Sequence, residues 1–140
     1  MASILEAVGD LIRDATPTSL GTYISNGVGT LVLGILPDTP DSICAVFENT
    51  GMSPMFTMGD GGIVVDRPMV MIQVRGVPDA YEAPRDRAMA IRTYLSSLTG
   101  VTSSGINVMR IEAMGSVNHF AVDAKRRNVF SVNFLCHLQP

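Results

Sequence analysis

Charge is what this sequence has least of. Asp, Glu, Lys and Arg make up 16% of its 140 residues, against about 25% in an ordinary soluble domain. Tryptophan is absent and lysine occurs once, at Lys125. Long apolar runs are missing too: VGTLVLGIL is short and broken by glycine, so no segment reads as a membrane-spanning helix. The opening MASILEAVGDLIRD has no basic leader and places acids inside its apolar pattern, which is not the layout of a secretory signal. The two cysteines, Cys44 and Cys136, lie in separate apolar runs without C-x-x-C or Cys/His spacing. That excludes the usual zinc patterns and reads as two buried thiols in a reducing compartment. A net charge of −3 implies no general attraction to nucleic acid.

Apolar residues are abundant, at 46%. The length suits one domain, residues 1–140, around one core. A small chain so apolar and so short of charge has trouble covering its own surface, so part of that surface reads as covered by other protein. The cations are nearly all arginine, the residue better suited to planar, paired contacts at protein interfaces.

Periodicity gives the elements. Ser3 and Glu6 form a capping box, and Ile4, Leu5, Val8, Leu11 and Ile12 follow at helical spacing until Pro17. A strand is expected over Leu31–Leu36, then the turn LPDTPD, then a strand over Ile43–Glu48. Residues 50–62 read as a loop rich in methionine and glycine. Pro68 opens the strand MVMIQVRG, in which Val70, Ile72 and Val74 face one way and Met69, Met71, Gln73 and Arg75 the other. A second helix starts between Glu82 and Pro84, buries Ala88, Ile91, Leu95 and Leu98, and stops at Gly100. TSSG reads as loop, Ile106–Met114 as strand, and the remainder as a hairpin turning at Asp123–Arg126. The last strand puts Phe130, Val132, Phe134, Cys136 and Leu138 on one face, Ser131, Asn133 and His137 on the other. The order α-β-β-β-α-β-β-β predicts an α+β fold: a largely antiparallel sheet with both helices packed on one face.

Catalytic chemistry has little to work with. The candidate bases are His119 and His137, and no G-x-S-x-G elbow is present. The glycines of MGDGG lead into a strand with no following lysine, unlike a phosphate loop. Asp60 and Asp66 lack the alternation of a calcium loop. The pattern implies no cofactor, no metal and no enzyme. Interface chemistry is better supplied. Met52, Met55, Phe56 and Met58 form an adaptable pad for a partner, or else fold back on their own domain. Arg85 and Arg92 lie two turns apart, away from the buried stripe of the second helix. Asp123, Lys125, Arg126 and Arg127 sit at a hairpin tip, read as a solvated turn or a partner contact.

Taken in order, a helix SILEAVGDLIRD, a strand closed by LPDTPD and leading into ICAVFENTG, then PMVMIQVRG with a Tyr81-containing turn, and the hairpin FAVDAKRRNVFSVNF resemble the tail terminator proteins of long-tailed phages, also called phage minor capsid proteins. The resemblance covers nearly the whole chain and rests on order and spacing. It implies a virion protein, assembled in the host cytoplasm, that forms a hexameric ring on the head-proximal end of the tail tube, at the neck. The ring ends tube growth and offers head completion or connector proteins a joining surface, and DNA passes through its hole without sequence-specific binding. No membrane is involved. Met69, Met71, Gln73, Arg75, Arg85 and Arg92 are then expected at subunit contacts. The methionine-rich loop is not explained by the resemblance. The alternatives are another neck or tail protein, such as a head completion protein or tube subunit, and a small ligand-binding regulatory domain.

Overall fold

A capping hydroxyl starts the first helix. In the computed structural model, which describes residues 3–16, 18–56 and 63–139, Ser3 Oγ accepts from the Glu6 N–H at 3.2 Å. Helix α1 follows over Ile4–Arg13, with Asp14 as its C-cap. Pro17, the expected stop, lies outside the described residues. Strands β1 (Leu31–Leu33), β2 (Ile43–Phe56) and β3 (Ile63–Pro78) come next. Helix α2 (Glu82–Ser97) separates them from β4 (Thr99–Ser103), β5 (Ile106–Ala113), β6 (Asn118–Val122) and β7 (Arg127–Gln139). Pro84 sits in the first turn of α2, where its missing N–H has no helical partner to lose.

The strands form one seven-stranded sheet in the order β1-β2-β3-β7-β5-β4, and β6 adds to β7 beside the end of β5. β1 and β2 run parallel; every other pair is antiparallel. The α+β architecture is the one the periodicity predicts. Directly opposed residues share a face. Ile72 faces Val46 on one side and Val132 on the other, and Val74 faces Cys44 and Phe130. Val8 and Ile12 of α1 and Ala88, Ile91 and Leu95 of α2 join this row in the core. Burial pushes the Cys44 thiol up to about 11 and the Cys136 thiol up to about 12.

The sheet curls, and α1 touches both of its flanks. A methyl group on Gly9 would stand 2.9 Å from Leu33 Cδ2 on β1. On the far flank, Ser103 Oγ of β4 donates to Ala7 O at 2.7 Å.

Three local expectations change. β1 stops at Leu33 rather than Leu36, because Gly34 turns the chain with φ +77°. β2 and β3 extend through much of the stretch read as loop, so Met52 and Met55 lie in a strand. Between Asn49↔Met69 and Met52↔Arg67, β2 advances three residues while β3 advances two. This bulge puts Gly51 opposite Pro68, which brings no N–H to the ladder. Gly51 there packs too close to Pro68 Cα for a side chain, at 2.7 Å from its Cβ site. Finally, TSSG is not a plain loop. Thr102 and Ser103 complete β4, and Ser104 and Gly105 take φ 49° and 75°, a two-residue turn whose twist suits a tight hairpin.

Candidate assembly surface

Arg75 lies on the helix-free face of the sheet, opposite Ile43 on β2 and Val129 on β7. It is 3% exposed, so it does not present itself to a neighbour. Its guanidinium instead donates to backbone carbonyls of the chain's own LPDTPD turn: Nε to Asp41 O at 3.0 Å, Nη2 to Pro37 O at 2.6 Å and to Pro40 O at 2.7 Å. A turn rich in proline leaves carbonyls short of backbone N–H partners. One planar fork of donors satisfies them together.

Arg127 stands beside it and is equally buried, at 3% exposure. Its Nε donates to Asp123 Oδ2 at 2.7 Å, its Nη1 to Asp41 Oδ1 at 2.9 Å and its Nη2 to Asp38 Oδ1 at 3.0 Å. Lys125 Nζ lies 2.5 Å from Asp38 Oδ2. The Asp123–Arg126 turn is thus bound to LPDTPD rather than standing free in solvent. At its tip Lys125 and Arg126 are exposed, and Arg126 pairs with Asp79 at 2.7 Å. Three cations, Arg75, Lys125 and Arg127, meet three carboxylates, Asp38, Asp41 and Asp123, so the cluster is charge-balanced. Burial lowers the proton affinity of Arg75, and the neighbouring Arg127 charge lowers it further. Burial acts the same way on Arg127, but the hydrogen bonds it donates to Asp123, Asp41 and Asp38 outweigh it, and its pKa is raised. Bonds from Lys125 and then Arg127 hold Asp38 below the ordinary aspartate value, and the Arg127 backbone N–H leads in doing the same for Asp123.

On α2, Arg85 and Arg92 are half-buried. Arg92 Nε donates to Gly115 O at 2.9 Å, and among the described residues Arg85 forms no ion pair. Arg87, which sequence reasoning passed over, is the arginine that α2 turns inward. Its Nη2 donates to Leu20 O at 3.0 Å and Thr30 O at 2.8 Å, tying the segment after α1 to α2. Burial lowers its pKa. The signal was present: Arg87 is four residues before the buried Ile91, on the margin of the buried stripe.

The helix-free face divides in two. At one end Gln73 and Arg75 are buried, at 8% and 3% exposure. At the other, Met69 and Met71 are half-buried, and on the neighbouring stretch of β2 Met52 and Met55 are exposed, at 47% and 51%. The Phe56 side chain, Met58 and Asp60 lie outside the described residues. The histidines are held by packing and single polar contacts. The His119 ring lies 5.7 Å from Tyr81 and 5.1 Å from Phe130, with Nε2 2.9 Å from Asn128 Oδ1. His137 Nε2 lies 3.3 Å from Glu112 Oε2. Neither has a serine, threonine or cysteine side chain as hydrogen-bond partner among the described residues, and no cluster of metal-binding side chains occurs among them.

No protein-family model matches the chain, and no curated protein matches it. Among solved structures, it is similar to a chain of the virion of the native gene transfer agent (GTA) particle. The TM-score is 0.64 at 14% identity, over 99% of this chain and 96% of that one. The two chains share a fold. A second solved chain aligns at a TM-score of 0.49 and 14% identity, over 98% of this chain and 91% of its own length.

Proposed function

We propose that this chain, acting as a single domain, is a virion structural protein. It forms a ring on the head-proximal end of a phage tail tube, ends tube growth and gives the head a joining surface. The observation that carries the reading is the likeness to a virion chain, which runs nearly end to end in both directions, at 99% and 96% coverage. The order of segments that resembles the tail terminators and the shortage of charge, at 16%, support it. The role is assembly and binding, without catalysis. The partners are further copies of the chain in a hexamer, the tube protein, and head completion or connector proteins. The net charge of −3 suits a channel through which DNA must pass without sticking.

In this reading Met52, Met55, Met69, Met71, Arg85 and Arg92 serve subunit contacts, and Lys125 and Arg126 serve contacts at the hairpin tip. Buried Gln73, Arg75 and Arg127 hold the frame behind them. The test is to add purified protein to tail-tube subunits during polymerisation and measure tube length by electron microscopy. Short tubes carrying one six-membered ring at an end are expected. If the chain alone polymerises into long tubes, it is a tube subunit, and if tube lengths and ends stay unchanged, the terminator role is wrong.

A further inference from the structure

Between α1 and β1 the chain narrows to a hairpin tip, Ser25–Asn26–Gly27–Val28. Ser25 N donates to Val28 O at 2.8 Å, and Val28 N to Ser25 O at 3.1 Å. Asn26 and Gly27 lie between them with φ 54° and 77°, the left-handed pair that an Asn-Gly turn of type I′ requires. All the residues of the tip are exposed. Its base is better held: Thr30 N donates to Thr22 O at 2.8 Å, Ile24 N to Leu31 O at 3.0 Å, and Arg87 Nη2 to Thr30 O at 2.8 Å. A tip that hangs on one pair of backbone bonds above an anchored base opens locally without unfolding the domain.

This dipeptide carries chemistry of its own. Asparagine is a thermolabile residue, because the backbone nitrogen that follows it can attack the side-chain amide carbon and close a ring. Of the asparagines at 26, 49, 107, 118, 128 and 133, Asn26 alone precedes glycine, which has no Cβ to crowd that nitrogen. The space around Gly27 is open: a Cβ there would meet nothing within 4 Å. Among the described residues, neither the Asn26 side chain nor the Gly27 N–H has a hydrogen-bond partner. Asn107 and Asn128, by contrast, have their amides held by Thr102 and by His119 and Ala80.

We propose that Asn26–Gly27 is a self-modification site, at which the folded chain converts Asn26 to aspartate and isoaspartate. The Gly27 nitrogen attacks Asn26 Cγ. An N–C bond forms, the Cγ–Nδ2 bond breaks, and the departing nitrogen takes up the Gly27 proton through water and leaves as ammonia. Water then opens the resulting succinimide. Attack at Cγ restores the ordinary backbone as aspartate; attack at the main-chain carbonyl carbon gives isoaspartate, whose backbone runs through Cβ and Cγ. Either product makes the net charge more negative than −3. Isoaspartate also lengthens the tip, so the Ser25–Val28 pair is lost while the base at Thr22 and Thr30 stays. The site does not depend on assembly of the chain.

The experiment holds the full-length protein at physiological temperature over a series from neutral to mildly alkaline pH. Peptide mapping by mass spectrometry scores every asparagine, enzymatic methyl transfer from S-adenosylmethionine reads isoaspartate, and circular dichroism checks that the chain stays folded. The peptide bearing residue 26 is expected to show the mass shift of amide-to-acid exchange, faster as pH rises because attack needs the Gly27 nitrogen deprotonated. The other asparagines are expected to stay intact over the same period. N26Q, whose longer side chain closes the ring far less readily, should fold and lose the isoaspartate signal. If Asn26 stays intact in the folded protein while the urea-unfolded chain converts, the turn protects the dipeptide and the proposal is wrong. Equal conversion at Asn118, which is exposed but precedes histidine, or a signal that survives in N26Q, would overturn the assignment to this site.

Discussion

Arg75 holds its place by what would happen without it. Four carbonyls of residues 37–41 accept from one guanidinium that is 3% exposed. Arg75→Met keeps the volume but strands part-buried acceptors and leaves the neighbouring charges unbalanced, at an expected loss of about 2 kcal/mol, read from urea unfolding. Arg75→Lys should recover little of it, because one ammonium does not span the acceptors as a planar fork does. A loss below about 1 kcal/mol would mean that water serves these carbonyls equally well. Gly9 offers a second test of packing against propensity. Replacing a mid-helix glycine with alanine usually stabilises by about 0.5–1 kcal/mol. Here the new methyl would meet Tyr23 Oη and Leu33 and disturb the 2.8 Å bond from Tyr23 to Asp10. Gly9→Ala is therefore expected to lower the melting temperature.

At the scale of elements, the LPDTPD turn and the β6–β7 hairpin form one acid-sensitive unit. Asp38 and Asp123 both titrate below the ordinary value of 3.8 when folded. Depressed carboxylate pKa values mean that the stabilisation is complete above 3.8 and is lost as pH falls through the lowered folded values. Amide exchange at residues 36–42 and 123–127 should accelerate below pH 4 beyond its ordinary pH dependence, while the core of β7 stays protected. Uniform loss of protection across the sheet would show that the turn is not a separate unit. Helix α1 allows a simpler check: Ser3→Ala removes its N-cap acceptor and should cost about 1 kcal/mol, measured by thermal unfolding.

If copies of this chain associate as proposed, the whole molecule offers two kinds of subunit contact. Contacts built on exposed arginine and acid pairs weaken as salt rises. A contact built on the β6 edge, with Phe120 and Val122 outward, depends on apolar area and backbone bonds. Association measured from 0.1 to 1 M salt is expected to hold or strengthen. A steep decline would return the main role to Arg85, Arg92 and the hairpin tip.

Helix and strand type, the two faces of β3 and β7, and the α+β class were legible in the sequence, because periodicity is local and survives without knowledge of neighbours. Ser3, Pro84 and the Asp123–Arg126 turn act within a few residues, and they fell where the sequence put them. The added strand β4 and the long reach of β2 were not legible, since each exists through its pairing with β5 or β3. The roles of the arginines were hidden for the same reason. Residue type suggested interfaces for Arg75, Arg85 and Arg92, and a solvated turn or partner contact for Arg126 and Arg127. Tertiary structure turned Arg75 and Arg127 inward, onto partners as far as 89 positions away in sequence, and left Arg85 and Arg92 half-buried. The exposed edge of β6 likewise depends on where the sheet stops, which long-range pairing decides and no local pattern records.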